Sequence, residues 1–260
     1  MVSNVRQVPA VLAECSEGRV DKSKSEEESH ALRLARGDED GVYSENNYGT
    51  GMAEESGTEP QKWNFRRLID DDLPLLHRWL NEPGVVKFWE GDDVSWPAVV
   101  SDYGSPALRS TLATDHPDFD YDAAESDYDA EHIEVYLAAY ADEPTGWIQC
   151  YSVQDYDDEQ EVQDWLKLGF DETGAGIDYL IGDPSARGKG LGSEMIRTFI
   201  DVIVFDRHPD WTRAGASPQR SNVASCAALA TAGLSLVGSF DDDLGPCDLY
   251  ATHRDDRAAL

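Results

Sequence analysis

Large apolar residues are sparse over the first 60 positions and recur regularly after them. Glu14 to Glu59 is rich in Glu, Ser, Gly, Asp and Asn and holds no sustained period. Such a segment buries too little apolar surface to offset the entropy of ordering the chain. Residues 1–60 are therefore expected to form an acidic, disordered tail, with a short helix around Glu26–Arg36 as the one ordered alternative. A folded domain is expected over residues 61–260.

Within that domain the periods change type several times. Trp63 to Leu68 alternates as a half-buried strand does. Asp70–Asp72 supplies an N-cap and first-turn acids for a helix through Leu80, whose apolar residues Leu73, Leu76 and Leu80 fall at helical spacing. Asn81, Pro83 and Gly84 end it, and Val85–Asp93 reads as a loop. A second helix is expected from Ser95 onward, and residues 113–131 read as an acidic surface connection. Ile133–Leu137 and Trp147–Val153 read as a hairpin around a turn at Asp142–Gly146. An acidic insertion, Gln154–Thr173, carries an amphipathic piece with Val162, Trp165 and Leu166. Gly176–Gly182 is a short apolar strand holding one carboxylate, Asp178. A glycine-rich loop and a helix with Leu191, Met195, Ile196 and Phe199 on one face come next. A short strand at Trp211–Ala216, an Ala-rich helix over Ser221–Thr231 and a closing strand pair complete the pattern. The fold class is α+β, with a mixed central sheet flanked by helices.

Charge narrows the function classes. The net charge of −31 argues against nucleic-acid binding, which needs clustered Lys and Arg. It suits a cationic partner, although Asp excess spread along the whole chain also fits a protein adapted to high salt, the halophilic reading preferred here. No apolar run is long enough to cross a bilayer, and no signal-peptide core is evident, so no membrane association and a cytoplasmic location are expected. Four scattered cysteines lack metal-like spacing, so neither a metal nor a disulfide framework is expected.

Chemistry concentrates at Asp183–Gly192. Glycines before a helix let the backbone approach an anion and aim N–H donors at it, and the helix N-terminus adds its positive end. Taken alone, the pattern is read more readily as a flexible left-handed turn preceding a helix. It is neither a Walker loop, since no Lys-Ser/Thr follows the last glycine, nor the dinucleotide G-x-G-x-x-G.

The run Arg187-Gly188-Lys189-Gly190-Leu191-Gly192-Ser193 resembles the R/Q-x-x-G-x-G/A signature of the GNAT acetyltransferases. From Trp63 to Tyr250 the chain is similar to the aminoglycoside 6'-N-acetyltransferases of that superfamily. The stretches that carry this are R-W-L-N-E-P-G-V-V-K-F-W ending at Trp89, G-I-D-Y-L at Gly176–Leu180, and P-x-x-S-N…A-G over Pro218–Gly233. The resemblance implies the GNAT fold and acetyl-CoA as co-substrate, with no metal. It implies that Leu180, Ile181, Arg187, Gly188, Lys189, Gly190, Leu191, Gly192, Ser193 and Asn222 hold the coenzyme. It implies Asp178 as base and substrate contact, and Trp89, Asp155 and Asp243 as further contacts to a small-molecule amine. Acylation of hydroxylysine in siderophore assembly and a non-catalytic acyl-CoA-binding role are the alternatives; the siderophore enzymes carry His where Asp178 stands. Two positions depart from the family pattern. Leu229 stands where a Tyr is expected to protonate the leaving thiolate, leaving Tyr250 or Tyr179 as candidates. Ser217 stands where a substrate-binding Asp is expected. The oligomeric state is not readable from the sequence.

Overall fold

In the computed structural model the described residues are 62–89, 93–116, 133–242 and 244–257, so the expected tail, its short helix and most of the 113–131 connection lie outside them. Strand β1 (Trp63–Arg67) buries Trp63 and Phe65 on one side. Asp72 closes the following turn: it accepts from the Ile69 N–H at 3.0 Å and from both Arg66 terminal nitrogens at 2.6 Å. Asp70 instead reaches Ser105, accepting from its N–H at 2.8 Å and its hydroxyl at 2.6 Å. Helix α1 (Leu73–Leu80) then buries Leu73, Leu76, Trp79 and Leu80, the spacing anticipated from the sequence.

Two expectations need correcting in the next segment. Pro83 does not merely stop a helix; it opens a one-turn helix, α2 (Pro83–Val86), because a ring-locked φ and a missing N–H cost nothing at a helix start. The single helix expected from Ser95 is two, α3 (Trp96–Tyr103) and α4 (Pro106–Asp115). Gly104-Ser105-Pro106 breaks the run, and each half has its own serine cap, Ser95 accepting from the Ala98 N–H at 3.3 Å and Ser105 from the Leu108 N–H at 3.2 Å.

Seven strands form one sheet: β1, β2 (Ile133–Tyr140), β3 (Glu143–Ser152), β4 (Ala175–Ile181), β5 (Arg213–Ala216), β7 (Gly245–His253) and β6 (Ser235–Asp242) in spatial order. All neighbours are antiparallel except β4 and β5. The β2–β3 turn is tighter than expected: Ala141 and Asp142 alone make it, with φ of 50° and 67°, the left-handed conformation that two-residue hairpins require. Strand β3 therefore begins at Glu143 rather than Trp147, and a bulge opposite Ala138/Ala139 takes up the extra residue, Thr145.

Each face of the sheet carries its own core. On one face, Tyr136, Ile148, Ile177, Tyr179 and Ile181 pack against α6 (Leu191–Phe199), the π-helical turn Ile200–Phe205 that prolongs it, and α7 (Val223–Thr231). On the other, Leu137, Trp147 and Leu180 pack against α1, α3 and α5 (Gln160–Lys167). Alternation along β4 thus sends Tyr179 and Ile181 one way and Leu180 the other. A short C-terminal turn, Arg254–Arg257, follows β7; Arg254 spans 43–49 residues to bond the Phe205, His208 and Trp211 carbonyls. No helix among the described residues is long and apolar enough to cross a membrane.

Candidate active site

The sheet opens where its one parallel pair meets. Strands β4 and β5 pair only at Ala175–Ala214 and Gly176–Gly215, at the start of β4. Beyond Gly176, β4 runs on for five residues with a ladder partner on the β3 side alone. The register shows which groups face the opening. Gly182 N–H donates to Thr145 O at one end of the β3–β4 ladder, and Val153 N–H to Gly174 O at the other, both at 3.0 Å. Main-chain groups alternate sides along a strand, so those of Gly176, Asp178 and Leu180 are committed to β3. Those of Ile177, Tyr179 and Ile181 face the gap. Of Leu180 and Ile181, both expected to hold the coenzyme, Ile181 therefore turns its amide to the gap, and Leu180 spends its amide on the β3 ladder.

The glycine-rich loop follows directly. Gly188 and Gly190 have φ of 69° and 80°, the left-handed region that glycine reaches without strain. Gly190 is the N-cap of α6, whose amides at Leu191, Gly192 and Ser193 have no intrahelical acceptor. A side chain at Gly190 would point into open space. That space is a groove of about 270 Å³ between loop and α7, lined by Ile181, Gly188, Gly190, Gly192, Ser193, Ala224, Ala227 and Ala228. Small residues on both walls leave backbone as the main contact surface. Arg187 also lines the groove and braces it: its Nε and one terminal nitrogen donate to the Ile181 and Gly182 carbonyls at 2.9 Å, and the other lies 3.9 Å from Glu82. Gly182 itself is held against Trp79; a Cβ there would lie 1.9 Å from a ring carbon. Lys189 is exposed at the loop tip. Asn222 is fully buried and caps α7, accepting from the Ser225 N–H at 3.1 Å.

Asp178 projects from the other face of β4. Its carboxylate is 7% exposed and accepts from the Gln149 amide nitrogen at 2.9 Å, directly across the ladder. Loss of hydration pushes its pKa well above the usual carboxylate range, a shift the Gln149 bond opposes and the nearby Glu161 carboxylate increases. Glu161, on α5, is pushed up to about 7, chiefly by desolvation, and its carboxylate accepts from the Ser217 hydroxyl just past β5. Burial, and after it the carboxylates of Asp178 and Glu161, raise the Tyr151 phenol far above its usual range. Gln149 and Glu161 were not singled out in the sequence. Gln149 could have been, as the polar interruption in the Trp147–Cys150 run opposite Asp178; nothing local separates Glu161 from its acidic surroundings.

A buried carboxylate on one face, a backbone-lined groove on the other and an opening in the sheet between them suit transfer of a group from an anionic donor to an amine. A family profile described as an acetyltransferase (GNAT) domain matches residues 103–242. The chain belongs to the GNAT acetyltransferase family. This GNAT protein is similar to aminoglycoside N(6')-acetyltransferase type 1 of Klebsiella pneumoniae, with 26% identity over 182 residues, 70% of this chain and 78% of that enzyme. The enzyme of the same name from Serratia marcescens matches to the same extent. Structures of the aminoglycoside acetyltransferase AAC(6')-Ib with coenzyme A, and with coenzyme A and kanamycin, share the fold, at TM-scores of 0.58 and 0.55. Both are 24% identical and cover 76% of this chain and 99% of theirs.

The remaining candidates of this acetyltransferase are dispersed. Trp89 is 3% exposed, edge-on to Trp147 with ring centroids 5.5 Å apart, so it supports the wall rather than presenting a free face. Asp155 is exposed on the turn after β3, and Asp243 lies outside the described residues. Leu229 is fully buried in the α6–α7 core. Tyr179 puts its hydroxyl 2.6 Å from Ser225 Oγ, one helical turn before Leu229, and Tyr250 is half-buried near Cys226. Glu134, Cys150 and His208 offer metal-type ligand atoms within 4.8 Å of one another, a grouping the sequence spacing hides. The Glu134 carboxylate there is already engaged by the Tyr136 hydroxyl and by Arg67 at 3.1 Å.

Proposed function

We propose that this N-acetyltransferase uses acetyl-CoA to acetylate a primary amine of a cationic small molecule of the aminoglycoside type. The observation that carries this is the buried Asp178 carboxylate beside the β4–β5 opening, with the glycine-loop groove on the opposite face. The groove fits the coenzyme because its walls are glycine, alanine and free helix N-terminal amides, which accommodate a pyrophosphate without side-chain obstruction. Bound acetyl-CoA supplies a thioester whose carbonyl carbon an amine attacks, with the thiolate leaving.

The chain's own groups do the rest. Amides of Gly188 to Ser193 hold the pyrophosphate, while Arg187 keeps the loop root fixed to β4. The N–H groups of Tyr179 and Ile181 face the gap and stabilise the oxygen on which negative charge develops. Asp178 takes the proton that the amine must lose, and its raised pKa makes it a stronger base than a hydrated carboxylate. Gln149 holds that carboxylate in one orientation. A division into an acidic tail, residues 1–60, and one acetyltransferase domain, residues 61–260, is part of the same proposal.

The experiment is release of free thiol from acetyl-CoA upon addition of kanamycin or tobramycin to the purified protein. Release that depends on either acceptor supports the reading. Release only with N6-hydroxylysine would move the acceptor to siderophore chemistry, and coenzyme binding without turnover on any amine would leave an acyl-CoA-binding module.

A further inference from the structure

The acceptor side of β4 holds more unsatisfied negative character than one proton transfer needs. Glu161 reaches from α5 to the Ser217 hydroxyl at the end of β5, the strand on the far side of the gap from Asp178. The Glu161 carboxylate disfavours the ionised form of Asp178, and both face the buried Tyr151 phenol, so the two lie in one electrostatic environment. Among the described residues neither is bonded to a Lys or Arg; Asp178 accepts from the Gln149 amide, and Glu161 from the Ser217 hydroxyl, with the Trp165 indole also acting on it. Gln149 adds an independent sign. It is 2% exposed, and while its nitrogen donates to Asp178, its Oε1 is buried with no hydrogen-bond partner. Buried acceptors of this kind are normally satisfied. Two carboxylates and a lone carbonyl oxygen, with no cation among them, are the complement of a ligand bearing several N–H donors.

We propose that Glu161 is the second anchor of the acceptor site, taking an ammonium group other than the one acetylated, and so selecting acceptors with at least two amino groups over monoamines. This rests on the amine-acetylation reading above and extends it. In that role Glu161 provides the carboxylate that Ser217 cannot, from a helix 56 residues away in sequence. Ser217 becomes its positioning residue, since its hydroxyl donates to the carboxylate and fixes its direction.

The groups facing Glu161 define the pH behaviour. They are Ser217 past β5, Asp178 on β4, Tyr151 on β3, Asp242 on β6, Cys247 on β7, and Asp164 and Trp165 on its own helix. With desolvation and the carboxylates of Asp242 and Asp164 raising its pKa to about 7, Glu161 is neutral below that pH and charged above it. Affinity for a diamino acceptor should therefore strengthen as pH rises from 6 to 8.

The test compares wild type, Glu161→Gln and Glu161→Asp with two acceptors, kanamycin and a sugar carrying a single primary amine. Binding to the protein is read by calorimetry, so that no turnover is needed, and KM and kcat are read separately. Losing one charged hydrogen-bonding partner predicts a Kd and KM for kanamycin about ten- to hundredfold higher in Glu161→Gln, with kcat within a few fold. The Kd for the monoamine should stay unchanged, any change in kcat that follows from easing the Asp178 pKa should be shared by both acceptors, and the pH dependence of kanamycin binding should flatten. Glu161→Asp, which keeps the charge on a shorter arm, should fall between. Equal losses of affinity for both acceptors, or none for kanamycin, would overturn the assignment. Failure of turnover with intact, Glu161-dependent binding would instead sink the catalytic reading and leave this one standing.

Discussion

Replacing Asp178 with Asn separates what this side chain does for chemistry from what it costs the fold. Asn has the same shape and can still accept from the Gln149 amide nitrogen, which lies 2.9 Å from the present carboxylate. Packing should therefore survive, and only the capacity to take a proton is lost. A positioned general base contributes about 10²–10⁴-fold, or about 3–5 kcal/mol on the barrier. The expected kcat with kanamycin is thus at least about a hundredfold below wild type, with the Kd for coenzyme A unchanged. Stability should move the other way. Burial raises the Asp178 pKa in the native state, so the native state holds this proton more tightly than the unfolded chain. The ionised carboxylate then lowers stability progressively as pH rises from the ordinary carboxylate range through the raised value. Asn carries no such cost, so its unfolding midpoint should match wild type near pH 4 and exceed it increasingly toward pH 8. Thermal unfolding followed by circular dichroism, alongside thiol-release kinetics, measures both. A lower midpoint together with lower activity would mean that Asp178 holds the strands together rather than acting on the amine, and unchanged kcat would remove it from the chemistry.

Other consequences follow from the same geometry. Gly190→Glu forces a side chain into a left-handed position and sends a carboxylate into the groove, so calorimetry should detect no coenzyme A binding; wild-type affinity would exclude the groove as the coenzyme site. Gly182→Ala meets the Trp79 ring and should cost about 1–3 kcal/mol, lowering the midpoint by about 2–12 °C; an unshifted midpoint would show that α1 yields freely. With a net charge of −31, self-repulsion should make the protein more stable in molar KCl than at low salt, as the halophilic reading proposes; a flat or falling midpoint would count against it.

Much of this molecule was legible because local chemistry announces it. The glycine loop is readable since only glycine tolerates φ near 70–80° ahead of a helix that must offer free amides. Asp178 stood out as a carboxylate inside the apolar run Ile177–Ile181. Helix α1 followed from the spacing of Leu73, Leu76 and Leu80. What stayed hidden depends on pairing between distant segments. Whether Leu180 or Ile181 faces the gap is a matter of register parity against β3, which no local pattern encodes. The early end of the β4–β5 ladder has no composition of its own. The Glu161–Ser217 contact joins residues 56 apart, and Glu161 sits among so many acids that charge alone cannot single it out. The same background surrounds Asp155, which is exposed on its turn. The extra helical turn at Pro83 and the break at Gly104-Ser105-Pro106 were misread because proline and glycine punctuate helices at both ends.

Mass and NMR analysis of the product formed from kanamycin and acetyl-CoA tests most directly whether the groove, the gap and Asp178 work as one acetyl-transfer site. The expected result is a singly acetylated kanamycin, modified on a primary amine, formed mole for mole with free thiol and lost in Asp178→Asn. Unmodified kanamycin, with coenzyme A bound and no thiol released on any amine, would contradict it.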